Sequence, residues 1–251
     1  MQLSLDTQTA VLTLEHPPVN ALGRAEIAQL ASTITRLHDA CEQGLRTLIT
    51  TSRRVSPKGT PIFCAGANQR ERDQWSKAEI LAHVEGQRAV LTQLRTLPLF
   101  HLTVVDGAAI GLGTEIVLAS DYCVATERSF FALPEISMGL IPGAGGTAHL
   151  AQRIGHTNAM AFACTGRRVT AAEALTWGLI QSAQATYQEA SFHAYALCQR
   201  LSGADLVALR AFKAALLAGA AAPPSERLRL EAEAYATCLK VPSTAPPPRE
   251  G

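Results

Sequence analysis

Read from its start, the chain of 251 residues sets out apolar positions first in alternation and then at helical spacing. Leu3-Ser-Leu-Asp and Ala10-Val-Leu-Thr-Leu read as two short strands of a hairpin, ended by Pro17-Pro18. From about Arg24, Ile27, Leu30, Ile34 and Leu37 recur on one face of a helix. Thr47-Leu-Ile-Thr is a buried strand, followed by an irregular loop through Pro57, Gly59 and Pro61 that delivers Phe63-Cys-Ala-Gly-Ala-Asn. Ser76 with Glu79 forms a capping box, and Ile80, Val84, Leu91 and Leu94 carry a helix that must stop near Pro98.

After the strand Leu102-Thr-Val-Val the middle of the chain turns glycine-rich. Asp106-Gly-Ala-Ala-Ile-Gly-Leu-Gly leads into a helix that opens at Gly113 and continues through Thr114-Glu-Ile-Val-Leu-Ala. Tyr122-Cys-Val-Ala and Ser129-Phe-Phe-Ala are short strands, and beyond Thr147 the pattern is helical. Thr170 with Glu173 is a second capping box, its helix ends at Gly178, and Leu179-Ile180 opens a short strand. Helices follow around Ala190 to Leu201, Ala204 to Leu217 and Ser225 to Leu239. Strands and helices alternate to about residue 185 and helices fill the rest, which is an α/β core with a helical C-terminal part. The expected division is residues 1–185 as catalytic core, 186–240 as helical region and 241–251 as a proline-rich mobile tail.

Composition narrows the function classes. A formal charge of +1 leaves no chain-wide footprint for phosphate-backbone binding, so nucleic acid is not an expected partner. Neither a membrane-length apolar run nor a leader pattern is visible, and a cytoplasmic location is the expectation. Six scattered cysteines without a CxxC pair read as reduced core thiols. The histidines lack metal-ligand spacing, so no metal site is expected. Gly143-Ala-Gly-Gly-Thr-Ala formally fits a dinucleotide fingerprint, but the strand that should precede it is interrupted and the acid that should follow is missing.

Two carboxylates stand apart from the solvated ones. Glu115 lies among Gly113-Thr114 and Ile116-Val-Leu-Ala, and Glu135 between Leu133-Pro134 and Ile136-Ser-Met-Gly. A buried carboxylate costs several kcal/mol unless paired or neutralised, so each needs a partner or a task. Glu115 alone equally suits an acid at a helix N terminus. Cys64-Ala-Gly-Ala-Asn and Ile110-Gly-Leu-Gly-Thr place small residues at strand ends, where two backbone N–H groups can converge as an oxyanion hole or simply make two tight turns.

Five segments together resemble the crotonase superfamily, the enoyl-CoA hydratase and isomerase group, over roughly residues 5 to 240. They are Pro18-Val-Asn-Ala-Leu, Phe63-Cys-Ala-Gly-Ala-Asn, Asp106-Gly-Ala-Ala-Ile-Gly-Leu-Gly-Thr-Glu, Ala132-Leu-Pro-Glu-Ile-Ser-Met-Gly-Leu-Ile-Pro-Gly-Ala-Gly-Gly-Thr, and Thr165-Gly-Arg-Arg-Val-Thr-Ala-Ala-Glu-Ala with Gly178-Leu-Ile. The resemblance implies a spiral of ββα units with a helical C-terminal trimerisation region, assembled as a trimer or hexamer. It also implies an acyl-CoA substrate, with CoA carried by the substrate and no separate cofactor. The N–H groups at Ala67 and Leu112 would hold the thioester carbonyl. Glu135 would deliver the α-proton, Glu115 would activate water, and the Gly143 N–H would point at that water. Ala65, Gly66, Asn68, Gly111 and Pro134 fall in the implied substrate and CoA segments.

The resemblance is not uniform. Leu112 stands where the family pattern usually has glycine and Asn68 where it has aspartate, so the Leu112 side chain is expected to reshape the acyl pocket. The run Gln69-Arg-Glu-Arg-Asp-Gln-Trp is unusually charged, with Arg70 or Arg72 a candidate for a CoA phosphate or simply a solvated cluster. The family's usual final helix is expected to be replaced by the proline-rich tail. Hydration is the first reading; double-bond isomerisation, another acyl-thioester chemistry, and an inactive acyl-CoA-binding homologue are the alternatives.

Overall fold

Strand-forming segments and glycine turns repeat through the chain because each turn of the fold contributes one strand to each of two sheets and then a helix. The structure, a computed structural model, describes residues 1–239; the predicted tail over 241–251 and any difference in a final helix lie outside them. The hairpin forms as expected, β1 (Gln2–Leu5) antiparallel to β2 (Thr9–Leu14). It is followed by β3 (Ala21–Leu22), α1 (Arg24–Glu42), β4 (Thr47–Ser52), β5 (Arg54–Val55), β6 (Pro61–Cys64) and β7 (Gly66–Ala67). Then come α2 (Gln69–Arg72), α3 (Lys77–Thr96), β8 (Phe100–Val105), β9 (Ala108–Ile110) and α4 (Leu112–Leu118). The third turn has β10 (Tyr122–Thr126), β11 (Phe130–Ala132), a 3₁₀ turn over Pro134–Met138, α5 (Gly146–Ile154) and α6 (His156–Thr165). After these run β12 (Val169–Thr170), α7 (Ala171–Trp177), β13 (Ser182–Gln184), α8 (Tyr187–Arg200), α9 (Leu206–Gly219) and α10 (Pro224–Cys238).

One sheet has the order β1-β2-β4-β8-β10-β13, parallel from β2 onward, and the second has β12-β11-β9-β6-β5. The triples β4/β6/α3, β8/β9/α4 and β10/β11/α5 are the spiral: each steps one strand along both sheets. A main core fills the interior with Leu12, Leu48, Phe63, Val105, Val117, Phe131 and Phe162 among its buried members. A second cluster joins Ile49, Leu102, Val104 and Val124 to Ala190, Ala194 and Cys198 of α8. Both clusters fall in residues 1–203, the first of two compact units, the second beginning at Ala204. Of the helices expected from residue 186 onward, α8 buries its small-residue face on the sheet and lies in the first unit, while α9 and α10 lie in the second. In the second unit α9 and α10 pack as a helical hairpin.

Several local expectations are revised. β9 emerges from Ala-Ala-Ile, which carries no strand signature of its own. The helix bearing Glu115 starts at Leu112, one residue before the expected Gly113, with Gly111 as its cap. Leu179 and Ile180 are buried but precede the strand, which lies at Ser182–Gln184. The loop after Ser52 is partly ordered by pairing of β5 with β6. All six cysteines are free, but Cys164, expected in the core, is exposed, because α6 buries Ala159 and Phe162 instead.

Candidate active site

Asn20, from the first of the five segments, sets the approach to the site. It is fully buried with φ 54°, and its Nδ2 donates to Leu14 O (3.1 Å), Ser52 Oγ (2.8 Å) and Phe63 O (2.9 Å). Its Oδ1 accepts from His16 N at 2.6 Å. One amide thus ties the ends of β2, β4 and β6 at the point where β6 gives way to Ala65-Gly66-Ala67-Asn68. Asn68 then caps α2, its side chain accepting from Glu71 N at 3.4 Å.

The two glycine turns meet. Gly66 has φ 99°, and a Cβ there would sit 2.9 Å from Ile110 O and 3.7 Å from Leu112 N, so only glycine lets β7 approach the start of α4. Gly111 has φ 52°, and a Cβ there would lie 2.7 Å from Glu135 Oε1. Ala67 and Leu112 are thereby carried on adjoining turns, and Leu112 opens α4, where backbone donors have no intrahelical acceptor. The Leu112 side chain, expected to reshape an acyl pocket, is 3% exposed and packs into the main core. Thr114 anchors the same helix, its hydroxyl shared between Ala109 O (2.8 Å) and Ala132 O (3.0 Å).

Every residue of α4 is buried, Glu115 included at 4% exposure. Its Oε1 accepts from Ala144 N and Gly146 N, both at 2.8 Å. Burial holds the Glu115 carboxyl above its ordinary value, and those two N–H groups and the Arg88 charge offset only part of that rise. These partners were not singled out in the sequence; the glycine run beside a helix start was the available signal. Gly143, predicted to aim its N–H at water, contributes its carbonyl as acceptor for Arg88 Nε at 3.0 Å.

Glu135 follows Pro134 at the head of the 3₁₀ turn and is half-buried. Its Oε2 is buried with no hydrogen-bond partner. Burial, with a smaller contribution from the Glu115 charge, pushes its carboxyl up to about 7 against the opposing effects of its own backbone N–H and the Arg72 charge. Both carboxyls are raised by burial, but their hydrogen bonding differs: Glu115 receives two backbone donors that oppose the shift, and Glu135 leaves Oε2 without one. Among the described residues no cluster of three or more His, Cys, Asp or Glu could hold a metal ion, and no helix is long and apolar enough to cross a membrane. The buried thiols of Cys64 and Cys123 are each pushed up to about 12 by burial, which leaves them poor nucleophiles.

Residues 6–243 match the family model described as Enoyl-CoA hydratase/isomerase. With this spiral of paired strands and helices, the chain belongs to the crotonase superfamily, in its enoyl-CoA hydratase/isomerase family. It is 35% identical over 220 residues to "Enoyl-CoA hydratase domain-containing protein 2, mitochondrial" of Bos taurus, covering 86% of this chain and 72% of that one. It is 36% identical over 185 residues to "Enoyl-CoA isomerase/hydratase fer4" of Mycosarcoma maydis, covering 72% of this chain and 66% of that one. Among solved structures, an enoyl-CoA hydratase from Bacillus anthracis superposes with a TM-score of 0.87 at 28% identity, covering 94% of this chain and 90% of that one.

Proposed function

We propose that the protein hydrates a 2-enoyl-CoA thioester to a 3-hydroxyacyl-CoA. The observation that carries this reading is the pair Glu115 and Glu135 with opposite hydrogen-bond environments. The thioester oxygen is held by the N–H groups of Ala67 and Leu112, which oppose the negative charge that develops there. Glu115, as the anion, takes a proton from water as the water oxygen bonds to Cβ; the Gly143 N–H is assigned to positioning that water. The π electrons shift through Cα toward the carbonyl oxygen, and Glu135 delivers its proton to Cα. Transfer of a proton from Glu115 back to Glu135 resets the site. Ala65, Gly66, Asn68, Gly111 and Pro134 frame the substrate and CoA, and no cofactor beyond the CoA of the substrate enters. The functional assembly is a homotrimer or a pair of trimers.

Loss of enoyl absorbance on adding crotonyl-CoA tests the reading; no turnover with several chain lengths, together with retained CoA binding, would leave an acyl-CoA-binding protein instead. Isomerisation is the second reading, favoured by the raised and unpartnered Glu135, since moving a double bond needs mainly one acid. Conversion of a 3-enoyl-CoA to its 2-enoyl isomer without subsequent hydration would select it.

A further inference from the structure

Arg88, on α3, has no role in the two-glutamate chemistry set out above, yet its guanidinium is tied into the backbone that holds Glu115. Its Nε donates to Gly143 O at 3.0 Å, and its Nη1 donates to Glu85 Oε2 at 2.7 Å, one turn back on the same helix. The peptide that carries this carbonyl joins Gly143 to Ala144, and its N–H is one of the two that Glu115 Oε1 accepts, at 2.8 Å. A peptide is planar with its C=O and N–H on opposite edges, so fixing one direction fixes the other. A cation bonded at the carbonyl also draws electron density from the amide, which makes its N–H a stronger donor.

The rest of the glycine run keeps that peptide in place. Thr147 Oγ1 donates to Pro142 O at 2.8 Å, which fastens the peptide just before it. Val84, one turn before Arg88, has Cγ1 2.8 Å from where a Gly143 Cβ would be, so α3 meets the run with an apolar and a charged side chain together. The second donor to Glu115, Gly146 N, opens α5, so the carboxylate is held from both helices. Among charged groups, Arg88 favours the Glu115 anion, whereas the Glu115 and Glu135 charges oppose each other. On α5, His149 lies against Gly145, and Arg153 reaches the Leu118 and Ser120 carbonyls at the other end of α4. On β6 the Cys64 thiol bonds to Asn20 O.

Resting on the hydratase reading for its kinetic consequence, we infer that Arg88 is a positioning residue for Glu115. Through the Gly143–Ala144 peptide it aims and strengthens one of the two N–H groups that hold the carboxylate, and so prepares Glu115 to act as the base.

The test reads the Glu115 carboxyl directly and then turnover. In protein carrying ¹³C-labelled glutamate carboxyls, the Glu115 resonance is the one lost in Glu115→Gln. The Arg88 side chain is 51% exposed, so its charge is partly screened, and Arg88→Met is expected to raise the Glu115 titration midpoint by about half a pH unit. Arg88→Lys, which keeps a cation able to donate, should raise it less. Arg88 bonds to backbone and to Glu85 rather than to substrate, so Arg88→Met should lower kcat for crotonyl-CoA about 10-fold with KM within about two-fold. The low-pH limb of kcat/KM should move up with the carboxyl. In a Glu115→Gln background the same substitution should change the residual rate by less than about two-fold. An unmoved midpoint overturns the proposal. So does a rate loss that persists undiminished in the Glu115→Gln background, which is what a merely loosened fold would give. Wild-type protein that hydrates no crotonyl-CoA, while Arg88→Met still moves the midpoint, overturns the hydratase reading and leaves the coupling of Arg88 to Glu115 standing.

Discussion

At the residue scale the proposed hydration requires two neighbouring carboxyls to hold different protonation states. Glu115 is the more deeply buried, and two backbone N–H groups at 2.8 Å offset part of the resulting cost to its anion. Glu135 is less buried but leaves Oε2 without a donor. Glu115→Gln and Glu135→Gln are each expected to lower crotonyl-CoA hydration by at least about 10²-fold, and a near-wild-type rate in either would sink the hydratase reading. Because Glu135 must enter the reaction protonated and its carboxyl stands at about 7, kcat/KM should fall as pH rises through that region. Its stability effect has the opposite sign to that of a salt-bridged acid. The folded state binds the Glu135 proton more tightly than the unfolded state does, so Glu135 costs nothing below about 4.5 and costs progressively more between there and about 7. Glu135→Gln should therefore raise Tm relative to wild type at pH 8 by more than at pH 5; an equal difference at both would contradict the assigned shift. The acids themselves were legible because lone carboxylates in apolar segments are rare. Their partners were not, since Ala144 and Gly146 act through backbone groups that every residue possesses.

Elements matter to the site through the few places where backbone must pass backbone. Gly111 caps α4 with φ 52° and leaves no room for a methyl group, the Glu135 carboxylate being 2.7 Å from its Cβ position. Gly111→Ala should displace Glu135 and cost at least about 10-fold in hydration while circular dichroism stays native. Asn20 works one step further out, holding three strand ends with a single amide. Asn20→Ala leaves two carbonyls and a hydroxyl short of a donor and should lower unfolding stability by about 2–4 kcal/mol, read from the urea midpoint; a loss below about 0.5 kcal/mol would show that other groups hold those strands. The capping boxes at Ser76 and Thr170 and the amphipathic α1 were plain in the sequence because their signals are local. The second sheet was not: β5 and β12 are two residues long, and β9 is a small-residue segment made a strand by β6 and β11 on either side. A spiral is a non-local pattern, and strands this short carry no periodicity to read.

For the whole molecule, the apolar fraction that marks the chain as a folder also exceeds what its own cores hide. The helical hairpin from Ala204 onward shows this most clearly. Phe212 (68% exposed) and Leu216 (63%) lie one turn apart on α9, and Leu228 (67%) and Tyr235 (68%) stand out from α10. A two-helix hairpin can bury only the sides that face each other, so a row of large apolar side chains is left in water, the kind of patch that marks an association surface. Members of this family bind acyl-CoA and are typically oligomeric, and a closed ring of copies would cover such a row on every copy at once. Sedimentation equilibrium at micromolar concentration is accordingly expected to return three or six times the chain mass. The double substitution Phe212→Glu and Leu216→Glu places two charges where the row would be buried and should shift the mass toward that of one chain, with a lower Tm because the interface contributes to stability by mass action. Wild-type protein that sediments as one chain at every concentration would refute the assignment, and so would a doubly substituted protein whose mass is unchanged. The same row cannot serve both solubility and assembly, which is why its side chains, rather than the count of apolar residues, decide between a free chain and a ring.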